Sequence, residues 1–521
     1  MSQVGEGGRS CARRAFDTQM LLFLVAVSLF LYGFLFVPPF IPIYHHIDGL
    51  IYVNDGKQMY EGEVMYRDFF QFSPPGTTLV FWLLFKLLGV RPWIPDLTLL
   101  VLGIALAWLG VVIARELMHP GLALLPSSIF LAGLYNKMLD PTHHWFSLLC
   151  VMMALAVVLE RRTRARIAAA GFFCGLAACF TQTRGLAAIL GLGVFLWWES
   201  RQRQQQRCDL LKLQACLVSG IVASLIAVNG YFAWKAGLAR FLWCTLVFGI
   251  RYYPKAEENT FLGAVEGFPQ FLSLHYFLFA LARWLFLYGA IPLAYLLFFS
   301  CYRRKLGERP PDFWVRPMLL ALVGSFMLLG VAPSPNSIRL ASSALPGIIL
   351  MGWFIDSPGK WARALAAGLV AGALLVAPHA VLNAESSQKW ITPIRPGTLA
   401  VTSRESLEYY NWVLQHTHAS DYLFQAPGPD MYFYLDLRNP TPMPFLTNCG
   451  YTTPEQVENV VRSLQQHPVR YVLWSPSALD VIPAWEDPSD DHLGPLRDYL
   501  RHHYRVVKVF RNSDEMWEKK E

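Results

Sequence analysis

Two polar stretches in an otherwise apolar chain carry the residues able to do chemistry. The first runs Tyr44-His45-His46-Ile47-Asp48-Gly49, then Asn54-Asp55-Gly56-Lys57, Tyr66-Arg67-Asp68-Phe69-Phe70 and Ser73-Pro74-Pro75-Gly76. The second runs Asn136-Lys137-Met138-Leu139-Asp140-Pro141-Thr142-His143-His144. A carboxylate at an apolar boundary can take the proton from an attacking hydroxyl, because partial desolvation raises its proton affinity. Asp48 and Asp140 are the two candidates for that role. Each also has a plainer reading, since Asp favours helix N-caps and Asp before Pro starts turns. Spacing alone leaves both readings open. His45, His46, His143 and His144 raise a metal site, but adjacent histidines lack the i,i+4 spacing of a helical zinc motif. No cofactor is therefore assigned, with a divalent metal as the alternative.

Basic residues beside these stretches are few: Arg67, Lys137, Arg184, Arg251, Lys255 and Arg339. Each can simply anchor the chain at a lipid boundary by snorkelling. Together they can instead hold a phosphate, which arginine forks fit well. Arg67, Arg184 and Arg339 lead that set, followed by Arg251-Tyr252-Tyr253. The candidate site is thus Asp48 and Asp140 as catalytic acids, with Arg67, Asp68, His143, His144, Arg184, Arg251, Tyr252 and Arg339 as binding residues.

The elements that must position them are set by lipid. Of 521 residues, 54% are hydrophobic, 14% aromatic and only 16% charged, outside the range of soluble domains. The apolar blocks have the length of membrane-crossing helices, about 17–25 residues. Eleven spans are expected, at 19–38, 95–117, 121–137, 145–159, 166–181, 185–198, 214–234, 274–300, 317–333, 340–355 and 362–379. With the amino terminus inside, the dense basic clusters at 161–166, 201–212, 303–309 and 360–363 all fall on the cytoplasmic side. Thr77–Leu88 is too short to cross and is expected as an interfacial helix; counting it as a span would invert every later loop. Both acids then lie outside, in the loop 39–94 and the loop after residue 137. The net charge of +7 is explained by topology and implies no nucleic acid. The nine cysteines form no paired framework and read as core fillers.

After residue 384 the pattern changes. The predicted division is a transmembrane region over 1–384 and a small carboxy-terminal α/β domain over 385–521, on the non-cytoplasmic side because the span number is odd. Thr402-x-x-Glu405 opens a helix to His416, and Thr453-Pro454-x-Gln456 reads as a capping box. Tyr422–Ala426, Val469–Trp474 and Tyr504–Phe510 read as strands.

The first loop also resembles a known family. Asp48, Gly62, Tyr66-Arg67-Asp68-Phe69-Phe70, Pro74-Pro75 and Leu88-Gly89 are similar to the pattern of the GT-C superfamily of membrane glycosyltransferases. The branch is that of protein O-mannosyltransferases, aminoarabinose transferases and bacterial lipopolysaccharide-core transferases, and Asp140 falls where a second acidic loop residue is expected. The resemblance covers the first 160 residues, and the remainder only by span layout. It implies an α-helical polytopic protein of the bacterial inner membrane that transfers a sugar, with inversion, from a polyprenyl-phosphate donor to a glycan, lipid or protein acceptor. Asp48 would be the base, and Arg67, Arg184 or Arg339 would steady the leaving phosphate. Ser73 departs from the pattern, because some branches carry lysine before the proline pair; Arg339 stands where related chains often show His and Tyr. Two other classes remain: a lipid or solute transporter, disfavoured by the lack of repeated halves, and a non-catalytic assembly protein.

Overall fold

A computed structural model describes residues 6–44, 48–204, 206–256, 259–265, 267–271, 273–356, 367, 388–448, 452–482 and 488–521. Six described helices are long and apolar enough to cross a membrane: Asp17–Leu35, Ile94–Ala114, Arg207–Ala236, Tyr276–Lys305, Pro311–Val331 and Ser337–Asp356. The chain is a multi-pass helical membrane protein. Its helices are α1 (Glu6–Leu35), α2 (Gly49–Glu61), α3 (Gly76–Leu88), α4 (Ile94–Ala114), α5 (Leu125–Gly133), α6 (His143–Leu159), α7 (Arg164–Phe180), α8 (Gln182–Gln202) and α9 (Arg207–Ala236). They continue with α10 (Leu274–Leu285), joined through a π-helical turn to α11 (Ile291–Lys305), then α12 (Pro311–Val331) and α13 (Ser337–Asp356).

One expected span is not continuous. Residues 121–137 form a 3-10 turn, the nine-residue α5 and a second 3-10 turn; nine residues rise only about 14 Å, too short to cross. Pro126 in the first turn of α5 forces the new start, because proline cannot donate to a continuing helix. The two marginal segments are both helical, as α7 and α8, but neither is among the six helices long and apolar enough to cross. The expected span 362–379 lies outside the described residues apart from 367. Helix α3 has the expected short length, with Phe81 and Phe85 buried while Leu83, Leu87 and Leu88 are exposed.

Helices α7 and α9 approach closely through glycine: a Cβ on Gly171 would lie 2.1 Å from the Leu217 carbonyl, and one on Gly220 would lie 2.0 Å from that of Ala168. Small residues let helix backbones meet where lipid offers no hydrophobic drive. At one end of the bundle Arg162 and Arg203 pair with the buried Glu199 at 2.7 and 3.0 Å, and Arg316 pairs with Glu116 at 3.1 Å. These bind the C-terminal ends of α6 and α8 to each other and the end of α4 to the start of α12. The N-terminal ends of α6, α8 and α13 therefore gather at the opposite end.

The carboxy-terminal region holds α14 (Arg404–His416), α15 (Pro454–Gln466) and α16 (Gly494–His503), with a mixed sheet ordered β5-β6-β8-β7. Its strands are β5 (Leu423–Ala426), β6 (Tyr471–Trp474), β7 (Tyr504–Val509) and β8 (Glu515–Lys519). A separate hairpin pairs β3 (Trp390–Ile394) with β4 (Gly397–Val401), and the smallest hairpin, β1 (Phe36–Val37) with β2 (Ile41–Pro42), ends α1. The three expected strands are found; β3, β4 and β8 were not read from the sequence. Helix α14 is capped one residue later than expected, by Ser403, and the Thr453–Gln456 capping box is complete. Most of the described cysteines fill the core, but Cys208 is exposed.

This region is not set apart from the first loop. Leu50, Tyr52 and Val53 of α2 and Phe81 and Phe85 of α3 share one apolar core with Tyr410, Tyr432, Phe433 and Tyr434. Backbone bonds add Tyr44 N–H to the Ala400 carbonyl at 2.7 Å and Phe70 N–H to that of Pro442 at 2.8 Å.

Candidate active site

The site is built around the start of α2. Asp48 precedes that helix, yet its side chain makes no capping hydrogen bond. The Gly49 N–H donates instead to Asp140 Oδ1 at 2.8 Å, across 91 residues of sequence. One acid thus occupies the capping position and the other leaves it free. Gly49 is required for this approach, since a Cβ there would lie 2.3 Å from Asp140 Oδ1 and 2.6 Å from the Pro141 ring. The two acids differ sharply in exposure: Asp140 is 3% exposed and Asp48 is open to solvent. Burial pushes the Asp140 carboxyl well above the usual range and the charge of Asp48 pushes it further, opposed by the Gly49 N–H. Asp48 keeps an exposed edge but protein surrounds much of it, and that desolvation raises its carboxyl as well, while the Arg339 guanidinium draws it down.

Below the acids, α6, α8 and α13 contribute their first turns. Thr142 caps α6, accepting from the His144 N–H. His143 Nδ1 lies 2.6 Å from the Tyr52 hydroxyl, which also lies 3.1 Å from Ser73 Oγ. Arg184 is 2% exposed. Its guanidinium donates to the His144 carbonyl at 3.0 Å, Ser147 Oγ at 2.8 Å and Ser342 Oγ at 2.8 Å, with the Arg339 carbonyl at 3.4 Å. Arg339 donates to the Ser334 carbonyl and hydroxyl, the Tyr253 hydroxyl and Asn259 Oδ1. Among the described residues neither guanidinium pairs with a carboxylate. Two cations held by neutral oxygens, beside several helix N-termini, make an anion-attracting floor.

The structure brings together Asp48, Asp140, His143, His144, Arg184 and Arg339. It puts the other candidates elsewhere. Arg67 and Asp68 form a two-pronged pair at 2.8 and 2.7 Å on the surface, closing the turn from Val64. Arg251 is exposed over the Tyr252 ring, and Tyr252 stacks on Phe248. It is the neighbouring Tyr253 that reaches Arg339. Ser73, in place of a lysine, is buried against Tyr52 rather than open to a ligand. Sequence reasoning left out Tyr52, Ser147, Asn259 and Ser342. Tyr52 stands four residues past Asp48 and Ser342 three past Arg339, the spacings of helix-face neighbours, so that signal was readable. Asn259 lay in a loop without a pattern. His45 and His46 lie outside the described residues. His143 and His144 face Tyr52 and Arg184, and among the described residues no three metal-ligating side chains converge.

No protein-family model matches the sequence, and no curated protein matches it either. Solved structures do. ArnT from Cupriavidus metallidurans bound to undecaprenyl phosphate superposes with a TM-score of 0.56 at 13% identity, covering 96% of this chain and 98% of that one. The archaeal oligosaccharyltransferase AglB from Archaeoglobus fulgidus, in complex with an inhibitory peptide and a dolichol-phosphate, superposes with 0.51 at 11% identity, over 95% of this chain and 80% of that one. The fold is GT-C. The likeness spans both the helical bundle and the carboxy-terminal sheet, so the similarity read in the first 160 residues extends across the described chain as architecture. Apo ArnT gives a similar match, with a TM-score of 0.53.

Proposed function

We propose that this chain is a membrane glycosyltransferase that moves a sugar from a polyprenyl-phosphate donor to an acceptor at the outer face of the membrane, with Asp48 as base. The observation that carries this reading is the solvent-open Asp48 carboxylate beside Arg339 and Arg184, two cations without carboxylate partners among the described residues. An accessible base next to an anion-attracting floor fits a reaction in which a hydroxyl loses a proton while a phosphate leaves. The fold likeness to proteins solved with undecaprenyl phosphate and dolichol-phosphate supports the donor class.

In the proposed step the acceptor oxygen attacks the anomeric carbon and forms the new glycosidic bond. The bond from that carbon to the phosphate oxygen breaks, and its electron pair departs with polyprenyl phosphate. The acceptor proton passes to Asp48, and one displacement inverts the anomeric centre. Arg339, nearer the open face, would meet the phosphate. Arg184, bound beneath it through both terminal nitrogens, would supply charge and hold the starts of α6 and α13. Asp140 would set the position of Asp48 through Gly49. The orientation proposed is amino terminus cytoplasmic and carboxy-terminal domain outside, with 1–384 as the catalytic region and 385–521 as the outer domain.

The test is transfer from a panel of radiolabelled polyprenyl-phosphate sugars by the full chain in lipid nanodiscs. Asp48→Asn is expected to lower turnover by about 10²–10⁴, the usual worth of a general base, with undecaprenyl phosphate binding and unfolding temperature unchanged. Transfer retained by Asp48→Asn would overturn the assignment.

A further inference from the structure

A short chain of hydroxyls ends at the floor of the site and sets the state of one imidazole there. Ser73 and Tyr52 are 5% and 6% exposed. The Ser73 hydroxyl has one partner among the described residues, the Tyr52 oxygen at 3.1 Å, and the Tyr52 hydroxyl has a second, His143 Nδ1 at 2.6 Å. If Nδ1 carried the imidazole hydrogen, it would donate to Tyr52 and Tyr52 to Ser73, leaving the Ser73 hydrogen buried without an acceptor, which folded proteins avoid. In the opposite order Ser73 donates to Tyr52 and Tyr52 to Nδ1, and every hydrogen is used. The short separation at Nδ1 agrees: a donating N–H usually sits about 2.9–3.0 Å from its oxygen, and an O–H donor closer.

The imidazole hydrogen is therefore on Nε2. The ring is part-buried, and Nε2 has no partner among the described residues, yet it is not one of the sealed polar atoms and so keeps accessible surface. Burial, with the guanidiniums of Arg184 and Arg339, pushes the imidazole down to about 3, so the ring stays neutral. Its neighbours set what such a donor suits. Arg184 and Arg339 already attract an anion, and a neutral N–H adds a directed hydrogen bond without a third positive charge. Its match is an oxygen that only accepts and is itself charged. A sugar hydroxyl, which must also donate, gains nothing from two cations.

We infer that His143 donates a hydrogen bond through Nε2–H to the leaving phosphate, and that Tyr52 and Ser73 are positioning residues that fix this tautomer. The assignment rests on the proposed transferase reading, which supplies the charged oxygen. Charge grows on the phosphate as it leaves, so this bond strengthens along the reaction.

The experiment is magic-angle-spinning NMR on the full chain in lipid bilayers, with isotope-labelled histidine and His143→Gln as the subtraction that assigns the signal. At neutral pH the His143 ring is expected to be protonated at Nε2 alone. Undecaprenyl phosphate should shift that nitrogen, and undecaprenol, which lacks the phosphate, should not. His143→Ala should weaken undecaprenyl phosphate binding by about tenfold or more, the worth of a hydrogen bond to a charged group. His143→Gln, whose amide keeps an N–H donor, should recover most of that loss. Tyr52→Phe removes the donor to Nδ1 and should mix the tautomers; it keeps the test alive if His143→Ala does not fold. The inference is overturned if the native ring is protonated at Nδ1 or at both nitrogens, if undecaprenol shifts Nε2 as the phosphate lipid does, or if folded His143→Ala binds that lipid as the native chain does. A chain that shows the Nε2 tautomer but binds no undecaprenyl phosphate sinks the transferase reading and the ligand with it, leaving only the order of the hydrogen bonds.

Discussion

The two ends of α2 are built from the same residue types and do opposite things. At its start Asp48 is open, and the nearby guanidiniums of Arg184 and Arg339 are held by neutral oxygens alone. Farther along, Asp55 is sealed from solvent with its carboxyl pushed up to about 8 by burial. Beside it, Lys57 is pinned by the Leu437 carbonyl at 2.9 Å and by Glu61 and Asp436 at 3.2 Å each. One end is sealed and clamped; the other keeps charge in reserve. A helix clamped along most of its length by the carboxy-terminal region can hold its first residue in place without spending that residue's own side chain.

The most damaging way to break this contrast is Asp140→Ala. It removes the acceptor for the buried Gly49 N–H, so the chain should lose about 1–3 kcal/mol of stability and most of its transfer activity. Asp140→Asn keeps an oxygen acceptor and should restore the unfolding temperature in a thermal melt. If Asp140→Ala leaves both readouts unchanged, the start of α2 is not held as described.

Next in size is Arg339→Gln. Arg339 draws the Asp48 carboxyl down, so its loss should raise that proton affinity. A base works only when deprotonated, so the acid limb of the pH–rate profile should move to higher pH, with about a tenfold loss of rate below the native midpoint. A limb that stays put would separate Arg339 from Asp48.

Asp55→Asn probes the rigid end. A carboxyl whose folded pKa is raised costs stability once the pH exceeds its unfolded value, and the full cost is reached above the folded value of about 8. The variant should therefore be more stable by about 1–3 kcal/mol at pH 8 and unfold like the native chain at pH 4. The smallest effect is expected from Arg67→Ala. Its pairing with Asp68 is exposed and screened by solvent, so neither the unfolding temperature nor the transfer rate should change.

Much of this was legible beforehand, and the reasons are physical. A lipid-crossing helix must be long, apolar and internally hydrogen-bonded, so α4, α9, α12 and α13 stand out from composition alone. Gln182–Gln202 carries charge at both ends and was harder to read. The 121–137 region failed for a definite cause: apolar length was present, but a proline placed inside it starts a new helix. Short strands such as β8 escaped because Glu515-Met516-Trp517-Glu518-Lys519, with two glutamates and a lysine in five residues, carries no alternation to detect.

What residue order determined by itself was the class of protein, the end of the bundle at which its basic loops gather, and two acids with three arginines worth testing. Those follow from the cost of placing charge in hydrocarbon, which is paid residue by residue. Only the tertiary structure decided which acid is free and which is spent. That choice depends on Asp140 reaching Gly49 across 91 positions, and on Tyr253 rather than Tyr252 meeting Arg339. Contacts between segments far apart in the chain leave no mark in the spacing of either one.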